Sequence, residues 1–135
     1  MAKKIFINLP VADLQKAMSF YAAIGFTNNP QFTDDTAACM VLTDEIYVML
    51  LTHPKFNDFT KKKIADTADS VAVINCLMVD SSAEVNTIVE QALAAGGTEP
   101  VEARDYGFMQ QRSFEDPDGH LWEVGYMDMS QFPAQ

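Results

Sequence analysis

The sequence is poor in the residues that build metal and redox sites: two histidines, two cysteines and one tryptophan in 135 residues. Cys39 and Cys76 belong to no CxxC pair and stand inside the apolar runs AACMVL and INCLMV. That placement predicts two buried free thiols and argues against a secreted disulfide scaffold. Basic residues are scarce as well, nine Lys and Arg against nineteen Asp and Glu, for a formal net charge of -10. Such a chain repels nucleic acid and anionic lipid at long range, so neither is an expected partner. No apolar run approaches the roughly 18 residues of a membrane span. The opening MAKKIFINLP lacks the apolar core and small-residue cleavage site of a signal peptide. A cytoplasmic protein is the expectation.

What the sequence does carry is regular apolar patterning. Lys4 to Leu9 alternates as a strand, with Ile5, Ile7 and Leu9 on one face and Phe6 and Asn8 on the other. Pro10 ends it or marks an edge. Asp13 reads as a helix N-cap, and Leu14, Ala17, Met18, Tyr21 and Ile24 form an apolar stripe that Gly25 stops. Phe32 and the run from Thr36 to Leu42 predict one or two strands. Asp44-Glu45 predicts a turn, and Ile46 to Thr52 a further strand. From His53 to Ser70 the pattern breaks. This stretch holds Pro54, Phe56, Phe59 and the run Lys61-Lys62-Lys63. It reads as a solvated loop or short helix, with a lid over an anionic ligand as the sharper alternative.

The order then restarts. Val71 to Val79 predicts a strand with Ile74, Cys76 and Met78 on one face. Ser81 and Glu84 form a capping box before a second apolar stripe, Val85, Ile88, Val89, Ala92 and Leu93, which ends at Gly96-Gly97. Val101 opens a short strand, and Met109 to Phe114 is another. Asp116-Pro117-Asp118-Gly119 is a strong turn, followed by a last strand from His120 to Met127. The tail MSQFPAQ reads as peripheral. Val11-Ala12-Asp13 matches Val79-Asp80-Ser81, Gly25 matches Gly96, and the Asp44-Glu45 turn matches Asp118-Gly119. This is an internal repeat. One helix and about four strands per half argue against a doubly wound parallel sheet, since the helices do not alternate with every strand. The fold class is α+β, one domain over 1–135. It is built of two βαβββ modules, 3–52 and 71–128, joined by the 53–70 loop or lid, with curved mixed sheets around a cavity.

Three stretches, LPVADLQKAMSFYAAIGF, VDSSAEVNTIVEQALAAGG and YGFMQQRSFEDPDGHLWEVGYMD, resemble the vicinal oxygen chelate superfamily. That superfamily includes glyoxalase I, extradiol dioxygenases and bleomycin-resistance-type binding proteins. The resemblance implies a shared glyoxalase/bleomycin resistance/dihydroxybiphenyl dioxygenase fold. It also implies metal ligands on the first and last strands of each module. Carried onto this sequence, those positions hold Phe6, Met49, Ile74 and Glu123. Only Glu123 is a donor for a hard divalent ion, so neither a catalytic metal nor another cofactor is expected. His53 and His120 read as surface or turn residues.

The expected ligand-binding set is therefore Phe6, Asn8, Met49, Ile74, Cys76, Phe108 and Arg112, with Glu123 as the catalytic candidate. An apolar cleft around Glu123 would suit a general base, and Arg112 would either stabilise an anion or pair with Glu123 structurally. Trp122, of opposite parity to Glu123, belongs in the core between sheet and helix. The leading expectation is a glyoxalase-like protein that binds a small, partly apolar molecule without a catalytic metal. A metal-independent lyase or isomerase using Glu123 as base is the alternative, and a divalent-metal glyoxalase or dioxygenase stands third. The sequence leaves open whether the chain is an enzyme. A homodimer is expected, from the resemblance and from the prevalence of two-fold pairs.

Overall fold

Both long helices begin where a short polar side chain turns back onto the backbone. The computed structural model describes residues 3–131. In it, Asp13 Oδ1 accepts a hydrogen bond from Lys16 N at 3.1 Å, starting helix α1, Leu14–Ala23. Ser81 Oγ accepts from Glu84 N at 3.1 Å, starting a helix at Ser82–Ala94. Glu84 Oε1 reaches back to Asp80 N at 3.3 Å, one residue beyond the usual capping-box donor. Beyond each helix the chain turns through a glycine at positive φ, +109° at Gly25 and +106° at Gly96. A side chain at either place would be strained.

The chain divides into two compact units, Met1–Ser70 and Val71–Gln135. In the first, strands β1 (Ile5–Val11), β2 (Thr27–Asn29), β3 (Ala37–Val41) and β4 (Ile46–Thr52) form one sheet in the order β1-β4-β3-β2. β1 runs parallel to β4 and the other pairs are antiparallel. α1 packs on β3 and β4, and Leu9, Val11, Ala38, Met40, Val48 and Leu50 are buried with its Leu14, Ala17, Phe20 and Tyr21. Tyr21 meets Phe20 and Phe26 edge-on at 5.2 and 5.3 Å. The turn between β3 and β4 needs no glycine because Thr43 Oγ1 accepts from both Glu45 N and Ile46 N at 3.1 Å. After β4, a one-turn helix α2 (His53–Phe56) is capped by Thr52 Oγ1 and packs against β1 and β4. Lys61, Lys62 and Lys63 are all exposed.

The second unit repeats this plan with β5 (Ile74–Val79), α3 (Ser82–Ala94), β6 (Arg104–Asp105), β7 (Met109–Glu115) and β8 (Leu121–Met127). The sheet order is β5-β8-β7-β6, again with the outer first strand parallel to the last. Trp122 and Phe114 stack at 6.2 Å beneath α3, with Val85, Val89, Ala92 and Val124 buried around them. The Asp116 turn closes with Gly119 N donating to Asp116 O at 2.9 Å. Asp116 Oδ1 accepts from Asp118 N and His120 N at 3.0 and 2.9 Å. Two βαβββ modules with mixed sheets are therefore the architecture.

Several boundaries differ from the sequence reading. β1 runs through Pro10 to Val11; it is an edge strand, so one missing N–H breaks no ladder. Phe32 is not in a strand. Asn29 Oδ1 caps Gln31 N and, with Pro30 at the first position, sets up a 3₁₀ turn at Pro30–Phe32, and the strand lies earlier at Thr27–Asn29. β5 starts at Ile74, three residues later than the apolar run. β6 starts at Arg104, not Val101. Of the tail, Met129–Gln131 forms a short 3₁₀ turn, and 132–135 lie outside the described residues. Cys39 is buried as expected, but Cys76 is exposed, because β5 is an edge strand whose Cys76 parity faces away from α3. Both thiols are free.

Candidate functional site

Strand alternation gives each sheet one face under its helix and one facing away from it. On the second unit's helix-free face, register places Cys76 of β5 beside Glu123 of β8, and Glu123 opposite Ser113 of β7. These three make one polar row across the sheet. The rows beside it hold Ile74, Leu121 and Glu115 on one side, and Met78, Gly125 and Gln111 on the other. Ile74 and Met78 are each 49% exposed. A Cβ at Gly125 would lie 3.0 Å from Met78 Sδ, so the absence of a side chain there lets the thioether lie down against the sheet. Met78 Sδ is 3.8 Å from Cys76 Sγ. Partial desolvation first, and the neighbouring Glu123 carboxylate second, push the Cys76 thiol above its ordinary pKa, so it stays protonated at neutral pH.

Ser113 is the residue the sequence reading missed. Its side chain is buried at 3% exposure, and its Oγ has no hydrogen-bond partner in the structure. It lines a small recess with Glu123, with Gln111 and Arg112 of its own strand, and with Val101, Glu102 and Arg104 of the adjoining segment. The available signal was parity: Ser113 lies ten residues before Glu123 across the DPDG hairpin, on the same face.

The first unit's helix-free face carries Phe6 and Asn8 of β1 beside Tyr47 and Met49 of β4. Phe6 and Tyr47 stack at 4.3 Å and 9°, Lys4 Nζ lies 5.7 Å from the Tyr47 ring, and Tyr47 Oη donates to Asp44 O at 2.9 Å. Asn8 Nδ2 donates to Phe6 O at 3.3 Å. Tyr47 was also absent from the sequence-derived set, although the parallel register pairs it directly with Phe6.

Arg112 does not share the Glu123 face. Its alternation turns it toward α3, where Nε and Nη2 bind both Glu99 oxygens at 2.9 and 2.8 Å. Nη2 also reaches Glu90 at 2.8 Å, and Nη1 reaches Asn86 Oδ1 at 3.0 Å. The forked hydrogen bond from Arg112 holds the Glu99 carboxyl below its usual range, and Glu99 and Glu90 in turn reinforce the guanidinium charge. Phe108 lies in the loop before β7, half-buried, with its carbonyl accepting from Asp128 N. Trp122 is in the core at 3% exposure. His120 is buried in the Asp116 turn, and His53 is exposed at the start of α2.

The donors do not suit a hard divalent ion. Phe6, Met49 and Ile74 offer no oxygen or imidazole, and beside Glu123 stand a protonated thiol and a thioether. Among the described residues, no group of three or more His, Cys, Asp or Glu comes together to hold a metal ion. Among the same residues, no helix is long and apolar enough to cross a membrane.

No curated protein matches the chain. Solved structures do. A hypothetical protein from S. aureus is 25% identical, with a TM-score of 0.77 over 93% of this chain and 94% of that one. A glyoxalase/bleomycin resistance protein/dioxygenase family enzyme from Burkholderia phytofirmans PsJN is 16% identical, with a TM-score of 0.78 over 93% and 99%. The fosfomycin resistance protein FosX from Mesorhizobium loti is 12% identical, with a TM-score of 0.69 over 96% of each chain. At the two lower identities the likeness is one of fold. The family model that matches residues 5–124 spans both repeats, and the chain belongs to the Glyoxalase/Bleomycin resistance protein/Dioxygenase superfamily.

Proposed function

We propose that this chain binds a small, partly apolar molecule on the helix-free sheet face of the second unit, without a catalytic metal, and that Glu123 is the polar anchor. The family hosts resistance proteins and enzymes alike, so the side chains must decide between them. One observation carries the reading: the only carboxylate at the four expected ligand positions stands in a row with a thiol and a hydroxyl, bordered by exposed Ile74 and Met78. That composition suits an organic ligand with one polar end. The Phe6–Tyr47 stack offers a flat apolar surface of the same character on the first unit. A lyase or isomerase in which Glu123 removes a proton would use the same residue but would require a different partner than Arg112.

The test has two arms. Elemental analysis follows purification without chelator, repeated after incubation with nickel, zinc, manganese and iron. The expected result is no stoichiometric metal; one metal per chain overturns the metal-free reading. In the second arm, small aromatic amines, alcohols and acids are titrated into ¹⁵N-labelled full-length protein. Saturable amide shifts in 74–78, 109–115 and 121–127 are expected, and their absence refutes binding at this face.

A further inference from the structure

Resting on the reading of Glu123 as anchor, we propose that the recess between Ser113 and Glu123 receives a single hydroxyl or amino head group of the ligand. Ser113 Oγ is buried and unpartnered, and a hydroxyl in that state lacks the hydrogen bond that nearly all buried polar groups have. The recess it lines is about 10 Å³. That is about the space one water-sized group needs. Glu123, directly across from Ser113, only accepts hydrogen bonds when ionised, whereas the serine hydroxyl both donates and accepts. A hydroxyl head group donates to Glu123 and accepts from Ser113. An amino head group donates to both. Two carboxylates, Glu123 and Glu102, border the recess against two guanidinium groups; Arg112 is held by Glu99 and Glu90, which leaves Arg104 as one cation facing two carboxylates, a balance that disfavours an anion. Exposed Met78 and Ile74 lie beside this row and supply the surface for the apolar remainder of the ligand.

Benzylamine, benzyl alcohol and benzoate serve as matched probes, titrated into ¹⁵N-labelled wild type, Ser113→Ala and Glu123→Gln. The amine or the alcohol is expected to shift amides 111–113 and 121–123 saturably, with benzoate weaker by about ten-fold or more. Ser113→Ala is expected to weaken the preferred probe about ten-fold. Glu123→Gln weakens the amine more than the alcohol if the head group is cationic, and both alike if it is neutral. Unchanged affinity in Ser113→Ala overturns the proposal and assigns the recess to solvent, while leaving binding at this face intact. Equal affinity for benzoate also overturns it. No saturable shift from any probe removes both this proposal and the function it rests on. If Ser113→Ala fails to fold, Ser113→Cys, a slightly larger side chain with a much weaker hydrogen bond, carries the same comparison.

Discussion

Replacing Glu99 by Gln should cost much more than replacing Glu90 by Gln, although both carboxylates lie 2.8 Å from the same guanidinium nitrogen. The difference is solvent. Arg112 and Glu99 side chains are 14% and 23% exposed and meet through two parallel hydrogen bonds, whereas Glu90 is 65% exposed and offers one. A hydrogen bond to a charged group away from water contributes about 1.5–3 kcal/mol. An exposed ion pair contributes about 0–1 kcal/mol. Glu99→Gln should therefore destabilise the second unit by about 1.5–3 kcal/mol, and Glu90→Gln by less than about 1 kcal/mol. The Arg112→Ala/Glu99→Gln cycle should give a coupling above about 1 kcal/mol. Urea unfolding followed by fluorescence reads this directly, since the single tryptophan, Trp122, is buried in that unit. The pH dependence fixes the sign. Glu99 has a depressed carboxyl in the folded state, so its contribution is complete above the ordinary glutamate value of 4.5 and is lost as pH falls through the lower folded value. The gap between wild type and Glu99→Gln should thus be constant from neutrality to about pH 5 and close below it. Equal costs for the two glutamates, or a gap that ignores acid, would refute the argument.

Two further expectations test the frame around the site. Asp116→Ala removes a buried acceptor from Asp118 N and His120 N and should cost about 1–3 kcal/mol, with Asp116→Asn retaining part of it, as measured by urea midpoint. Gly125→Ala should be tolerated to within about 1 kcal/mol, because the contact it creates is with the flexible end of Met78. It should still lift that thioether off the sheet, seen as a shift of the Met78 methyl resonance; an unmoved methyl would refute the contact.

The repeat was legible because its markers are local. Asp13 and Ser81 cap their own helices, Gly25 and Gly96 end them, and the Asp116 turn closes within four residues. Apolar parity likewise placed Trp122 in the core and Glu123 off it. What was not legible depends on partners distant in sequence. Cys76 sits in an apolar run that looks buried, and only the strand order reveals β5 as an edge. Arg112 has a parity opposite to Glu123, yet the three residues it binds lie in α3 and the 99 segment, which no local pattern connects to it. Ser113 is an ordinary strand residue until the β7–β8 register sets it against Glu123. Phe32 was lost to a competing local structure, the Asn29 cap followed by proline.

The parallel pairing of each unit's first strand with its last has a kinetic consequence. Ile5 meets Ile46, and Ile74 meets Leu121, partners separated by roughly 40 residues or more, whereas β3–β4 and β7–β8 close across short turns. Long-range closure is slow relative to a hairpin, so each helix and hairpin can assemble before the outer strand docks. The same strand is held along one edge only, like β2 or β6 on the far side of its sheet, so its amides exchange before those of the two central strands. β1 and β5 supply Phe6, Asn8, Ile74, Cys76 and Met78, so half of each candidate binding face rides on a segment that joins late and opens early. A ligand bridging that strand to its neighbour would act as a latch, slowing exchange in β1 or β5 well before it changed the stability of the hairpins.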